Sequence, residues 1–413
     1  MTTAVPYFRP DIQDAEIDEV LGVLRSGWLT TGPVTRRFEE AFATAVGARH
    51  AIALNSCTAA LHLAVNALGL RPGDGVLVPT MTFAATAEVI RYQRAVPVLV
   101  DCDPDTGHLD LRAAARLLSG DAPARGAFTS FAGIMPVHVG GHMLDIEAVR
   151  QLAESWRLWV VEDAAHAFPA ARRAAAHDPW RRCGDATADV TCFSFYANKT
   201  ITTGEGGMAV TPRADLAERM RLMSLHGLSH DAWSRYAAHG TWDYQIIAPG
   251  YKYNMTDVAA ALGVHQLARA EEMRQQRERI ALEYRHAFET LDEVLLPAAP
   301  ANVVHAWHLF PLTLRLDQLA IDRAQFIEDL KRQGVATSVH WRPLHMHPYY
   351  RRVFGYRPED CPRAAARFER VVSLPIFSAM TTAEITQVVS SVFDVVTRNR
   401  FRAPRAQAAR AAG

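Results

Sequence analysis

Six short apolar runs, AIAL (51–54), VLV (76–78), VPVLV (96–100), IMPVHV (134–139), LWVV (158–161) and TCFSF (191–195), punctuate the first 210 residues and limit the possible folds more than any other feature of the chain. Runs this continuous suit strands covered on both faces, because a half-exposed strand alternates apolar with polar residues. Between them apolar residues recur at helical spacing. Leu61, Ala64, Val65 and Leu68 share one face, and Ile146, Val149, Leu152 and Ala153 repeat the arrangement. Strand and helix in alternation predict an α/β domain with a mostly parallel central sheet.

After Met255 the texture changes to a long charged helical stretch, LARAEEMRQQRERIALEYRHAFETL, which reads as a bridge to a second domain. Strands are expected near HLFPLTLRL (308–316) and VATSVHW (335–341), with helices at DRAQFIEDLKRQG (322–334) and TTAEITQVVSSVFDVV (381–396). The expected organisation is therefore a large domain with an N-terminal helical segment (1–265), the bridging helix with a smaller α+β domain (266–400), and a disordered tail (401–413). Five arginines and no acid occupy residues 398–413, but no aromatic or motif pattern there supports a nucleic-acid arm.

A chain of 413 residues exceeds the usual size of a single compact core. Its formal charge is zero, so no global field draws nucleic acid or an anionic membrane, and 49% hydrophobic with 21% charged residues suits a soluble globular protein. Five cysteines without a C-x-x-C predict neither a disulfide framework nor a thiolate zinc site, and a reducing cytoplasmic setting is expected. Residues 51–70 lack Asp, Glu, Lys and Arg, yet Asn55-Ser56-Cys57-Thr58 interrupts them with polar turn-formers, so strand, turn and helix replace a membrane span.

That turn is the first candidate for chemistry. A helix starting near Ala59 aims unpaired backbone N–H groups and the positive end of its dipole at one spot, which is either an anion site or an ordinary N-cap. The second candidate is Glu162-Asp163-Ala164-Ala165-His166, at the carboxyl end of LWVV, where open α/β sheets bind ligands. A carboxylate there either pairs with a cationic ligand atom or caps a helix. No Walker A pattern surrounds any lysine, and no G-x-G-x-x-G follows a strand.

Of the 44 basic residues only three are lysine, namely Lys199, Lys252 and Lys331, leaving 41 arginines. A chain that writes arginine so freely keeps lysine chiefly where arginine fails. The guanidinium cannot lose its proton, whereas a desolvated amine can, and can then form a Schiff base. Lys331 neighbours Arg332 on an amphipathic helix and reads as surface, so Lys199 and Lys252 are the candidates, Lys199 in a loop before Gly204-Glu205-Gly206-Gly207. An anion pocket, a carboxylate and a Schiff-base lysine together are what pyridoxal phosphate requires.

The sequence also resembles the DegT/DnrJ/EryC1/StrS group of sugar aminotransferases through GWLTTGP (27–33), NSCTAALHL (55–63), PTMTFAAT (79–86), VVEDAAHA (160–167), FSFYANKTITTGEGG (193–207), GYKYNMTDVAAALG (250–263), VHWRPLH (339–345) and SLPIF (373–377). The resemblance implies an aspartate-aminotransferase-like α/β fold and pyridoxal phosphate as cofactor. It implies that Lys199 forms the Schiff base and moves the proton, and that Asp163 keeps the pyridine nitrogen protonated. His166, where the family often has Gln, would bond the phenolic oxygen. Phe83 would stack on the ring, and Cys57, Thr58 and Ser194 would cradle the phosphate, Cys57 standing where glycine is more frequent. Asn254 matches a residue that reaches the phosphate of the other subunit, implying a homodimer with shared sites. Thr30, Lys252, His340 and Arg342 are expected at the substrate.

His340, Arg342, His345 and His347 do not form a metal set, because no carboxylate completes it and Pro343 bends the segment. His138 and His142 flank Gly140-Gly141 and are assigned no ligand role. The function expected is transfer of an amino group from L-glutamate, or glutamine, to a nucleotide-linked keto-deoxy sugar. Retention of Lys199 favours transamination over the dehydratases of the group, which carry histidine there, and YKYNMTD leans to the 4-keto position. The alternatives are a cyclitol aminotransferase acting on a keto-inositol, and a non-catalytic binding or regulatory protein of the same fold.

Overall fold

The structure is a computed structural model that describes residues 4–186, 188–229 and 244–401. Two helices, α1 (Asp14–Ser26) and α2 (Pro33–Val46), precede the alternating region. There follow β1 (His50–Leu54), α3 (Cys57–Ala67), β2 (Gly75–Pro79), α4 (Ala84–Tyr92), β3 (Val96–Val100), α5 (Leu111–Leu118), β4 (Phe131–Ile134), α6 (Ile146–Ser155) and β5 (Trp159–Asp163). Two short strands, β6 (Ala171–Arg172) and β7 (Arg181–Arg182), lead to β8 (Val190–Ser194) and β9 (Gly207–Thr211).

Seven strands form one sheet in the order β1-β9-β8-β5-β4-β2-β3. Its pairs are parallel except around β9, which runs antiparallel to both β1 and β8. The apolar runs are continuous because both faces are covered. In β1, Ala51 and Ala53 pack with Phe42 and Phe193, while Ile52 and Leu54 pack on the opposite side with Leu61 and Ala64. Ser56 ends β1 and starts α3 by accepting the N–H of Ala59 at 3.1 Å.

Two expected strands differ. The run at 134–139 yields a strand that begins at Phe131 and stops at Ile134. Pro136 has no N–H to donate, and past it the pairing is one bridge between Val137 and Asp163. The run at 335–341 is no strand, because its hydrogen bonds are divided between Val5 on one side and Ser373 on the other, so no continuous ladder forms. Conversely β9, inside GEGGMAV, is a strand that the apolar runs did not mark.

The chain continues through α7 (Ala214–Ser224), α8 (Asp257–Ala268) and α9 (Ala270–Phe288). The charged stretch expected as a single bridge is broken at Arg269, so that Leu267 and Ala268 end α8 and the rest forms α9. Asp257 ties α8 to α2. Its Oδ1 accepts the N–H groups of Gly32 (2.8 Å) and Thr35 (2.9 Å) and the Thr35 hydroxyl (2.6 Å).

Beyond α9 lie β10 (Val294–Leu295), β11 (Val303–Val304), β12 (Phe310–Leu314), α10 (Arg323–Arg332), α11 (Pro348–Phe354), α12 (Pro362–Phe368), β13 (Val371–Leu374) and α13 (Thr382–Arg398). The antiparallel sheet β10-β12-β13 is packed by α9, α10 and α13 around Tyr284, Phe288, Phe310, Leu330, Val372 and Val392. The N-terminus joins this core: Val5 is buried in it and pairs with Val335, and Arg9 bonds Glu384 at 3.0 Å. No described helix is long and apolar enough to cross a membrane. The expected tail lies, from residue 402 onward, outside the described residues.

Candidate active site

The carboxyl ends of β1, β5 and β8 open onto one cavity of about 560 Å³, within the range of small-molecule sites. Its lining includes Cys57, Thr58, Phe83, Asp163, His166, Ser194, Lys199, His308 and His340, so the structure brings together eight of the twelve candidate residues. The other four lie outside this lining. Asn254 donates from Nδ2 to the Thr31 hydroxyl at 2.7 Å, and the main chains of Thr30 and Lys252 bond Asp257 and Asn55. Arg342 is exposed, and its guanidinium reaches the Met346 carbonyl at 3.4 Å.

At the start of α3 the N–H groups of Cys57 and Thr58 precede any intrahelical acceptor, and both residues line the cavity. Gly207 lies against this turn. A Cβ there would come within 2.4 Å of Cys57 N and of Ser56 C and O, so only glycine lets β9 pass. Ser194 ends β8, its Oγ accepting the Tyr196 N–H at 3.3 Å while its own proton stays available.

Asp163 ends β5 and is buried. Its Oδ2 accepts the Thr86 hydroxyl at 2.7 Å and its Oδ1 the Ala165 N–H at 3.1 Å. Burial pushes the carboxyl up, while these two donors and the Lys199 ammonium pull it down. Lys199 follows β8 in a tight turn, its N–H bonded to Tyr196 O at 2.9 Å. Desolvation lowers its ammonium to about 8, despite the opposing pull of Cys57 and Asp163. Its Nζ lies 3.3 Å from Nε2 of His308.

His166 accepts the Gly140 N–H at Nδ1 (3.2 Å), which assigns its proton to Nε2 as a donor. Desolvation, with Lys199 and His340 nearby, holds the ring neutral by lowering it well below the usual histidine range. It stacks on Trp341, with centroids 5.2 Å apart and an 18° interplanar angle. Phe83, at the start of α4, is 63% exposed, an unusual price for an aromatic ring unless a planar ligand covers it. The histidines near the segment 340–347 bond protein groups: His340 to Ser373 Oγ (2.9 Å), His345 to Thr80 Oγ1 (2.8 Å) and His347 to Arg342 O (3.3 Å). His138 bonds Glu162 at 2.7 Å, and the Cys183 thiol lies 3.8 Å from the same carboxylate oxygen.

Thr86, His308 and Trp341 were not singled out in the sequence. Thr86 and Trp341 lie inside quoted blocks, but hydroxyl and indole side chains carry no signal of direction. His308 was hidden at the edge of an apolar run read as a strand. The donor set fits pyridoxal phosphate: helix-terminal N–H groups and hydroxyls for a phosphate, a carboxylate for a ring nitrogen, a neutral imidazole donor, and a desolvated amine.

Residues 10–393 match the model of the DegT/DnrJ/EryC1/StrS aminotransferase family, and the chain belongs to this family. It is 45% identical to the uncharacterized protein MJ1066 of Methanocaldococcus jannaschii, covering 96% of this chain and 98% of that one. It is 41% identical to the spore coat polysaccharide biosynthesis protein SpsC of Bacillus subtilis, covering 95% and 97%. Among solved structures, the PLP form of Spr1654 from Streptococcus pneumoniae superposes with a TM-score of 0.85 at 30% identity, covering 96% and 99%. The protein is a pyridoxal-phosphate-dependent aminotransferase of the sugar-aminotransferase class.

Proposed function

We propose that this enzyme moves an amino group from L-glutamate, or glutamine, to a keto carbon of a nucleotide-linked deoxy sugar, leaning to the 4-keto position, as a cytoplasmic homodimer. The observation that carries the reading is the meeting of Lys199, Asp163 and the α3 N-terminus on one cavity. The block GYKYNMTDVAAALG supports the 4-keto lean, and the polysaccharide role in the name of SpsC supports a sugar destined for a glycan. Apolar side chains left exposed at Ile246 and Ile247 support a second copy as their cover.

Bound in the cavity, pyridoxal phosphate supplies the electron sink that lets nitrogen leave one carbon and join another. The protein's groups do the rest. Lys199 Nζ, lowered to about 8, is available as a neutral amine near physiological pH and carries a proton to or from the substrate carbon. Asp163 holds a proton at the ring nitrogen. His166 Nε2 would donate to the ring oxygen, the N–H groups of Cys57 and Thr58 with the Ser194 hydroxyl would hold the phosphate, and Phe83 would cover the ring face. Asn254 serves the site of the second copy.

The test is mass spectrometry of products after incubation with glutamate or glutamine and a panel of nucleotide-linked 3-keto and 4-keto sugars and keto-inositol. An amine product from a 4-keto nucleotide sugar is expected. Amination of keto-inositol alone would replace the reading with the cyclitol one. Mixing Lys199→Ala chains with Asn254→Ala chains tests the shared site, because each hybrid dimer then has one intact site. Failure of hybrids to recover activity would remove Asn254 from the partner's site.

A further inference from the structure

Asp163 is held by a chain of two buried hydroxyls, one in α4 and one in the turn before it. Thr82 Oγ1 and Thr86 Oγ1 are 2.7 Å apart, and Thr86 Oγ1 lies 2.7 Å from Asp163 Oδ2. Thr82 is 2% exposed and Thr86 0%, so water does not compete for these protons. Thr86 has one proton and two acceptors near it, the Asp163 carboxylate and, at 3.3 Å, the Phe83 carbonyl. The shorter, charged partner takes the proton, since hydrogen bonds to ionised acceptors are the stronger. Thr82 must then be the donor to Thr86, and the chain has a fixed direction: Thr82 to Thr86 to Asp163. That direction suits an ionised carboxylate, which only accepts and receives the Thr86 proton at full strength.

The geometry points to Thr86, backed by Thr82, as a positioning residue that fixes the Asp163 carboxylate in orientation and keeps it in its charged form against the ring nitrogen of the cofactor. The inference rests on the proposed role of Asp163. Burial alone works against that role by disfavouring the charge, and the Thr86 hydroxyl is the side-chain donor that opposes it. The Ala165 N–H anchors the other oxygen, so each oxygen has one donor and keeps a lone pair for a ligand. Thr86 is one turn into α4 from Phe83, so the helix that presents the ring-stacking side chain also orients the carboxylate.

The experiment loads the full-length protein with pyridoxal phosphate labelled with nitrogen-15 in the ring and reads the nitrogen resonance in wild type, Thr86→Val, Thr86→Ser, Thr82→Val and Asp163→Asn. Circular dichroism and the unfolding midpoint check that each variant is folded. Thr86→Val keeps the shape and removes the donor. The expected result is a resonance moved from the protonated toward the unprotonated ring position, with a fall of about tenfold in the rate of the glutamate half-reaction, the worth of one hydrogen bond to a charged group. The donor's KM is expected to hold. Thr86→Ser restores both readouts, and Thr82→Val gives a smaller shift in the same direction. A wild-type resonance in folded Thr86→Val, with Asp163→Asn shifted, overturns the inference and leaves the role of Asp163 standing. A wild-type resonance in Asp163→Asn overturns both.

Discussion

Nζ of Lys199 lies 3.3 Å from Nε2 of His308, and the other ring nitrogen of His308, Nδ1, is buried with no hydrogen-bond partner among the described residues. His308 is held neutral by desolvation together with the charges of Lys199, His166, Arg277 and His340. The lysine therefore faces an uncharged acceptor, and its proton balance is set mainly by burial.

Cofactor capture by the apoprotein should follow that balance. The reactive amine is the form above the lysine's own pKa, so the rate at which absorbance reports capture is expected to rise with pH through about 8 and then level. His308→Leu removes an acceptor that favours the ammonium and moves the midpoint down by about one unit. Lys199→Arg abolishes capture at every pH. A midpoint near that of a free lysine would contradict the desolvated site.

Acid stability is the second prediction. Burial lowers His62, His142 and His340 to about 4 and lowers His108, His166, His305 and His308 well below the normal range. These rings are neutral when folded, and the unfolded chain binds protons below about 6.5, so proton uptake favours unfolding. Their full contribution is present above about pH 6.5 and is lost as pH falls toward about 4, at a cost on the order of 1 kcal/mol per ring by pH 5. Urea midpoints at pH 7 and pH 5 measure it, and equal midpoints would refute it.

Two glycines of the sequence Gly204-Glu205-Gly206-Gly207 should behave differently. Gly207→Ala forces a Cβ against the main chain of Ser56 and Cys57 and is expected to weaken cofactor binding by at least about tenfold, measured by fluorescence titration. Gly204 has a positive φ of 78° but open space around it, so Gly204→Ala costs only backbone strain of about 1 kcal/mol and leaves affinity unchanged.

Asp257→Ala should loosen α2 from α8. The carboxylate's Oδ1 accepts from Gly32 N, Thr35 N and Thr35 Oγ1, all buried, and removal orphans these donors. A loss of about 2–3 kcal/mol in unfolding free energy is expected, with Asp257→Asn costing less because one oxygen remains.

Much of this molecule could be read from its residues, and the limits have physical causes. Continuous apolar runs located five of the large sheet's strands within a residue or two because both faces of that sheet are covered. Strand β9 escaped because its essential residue, Gly207, is chosen for the space it leaves. The 335–341 segment misled because Val335 pairs with Val5 while Ser338 pairs with Ser373, so its bonds go to two separate partners and never to one continuous strand. In the cavity, Lys199 and Asp163 were legible through charge scarcity and position. Thr86 and His308 matter through direction, which a linear pattern does not encode. Asn254, Lys252, Thr30 and Arg342 lie off this chain's cavity lining, because the blocks that contain them give residue types and order but not which side chains turn toward the cavity.

The pairing of Val5 with Val335 bears on how the polypeptide is born. Val5 has no seat until a partner more than three hundred positions later has emerged, so the segment around it must be among the last parts to settle. Anything fused there or trimmed away will be felt at the far end of the chain, in the stacking of α13 that Arg9 fastens through Glu384.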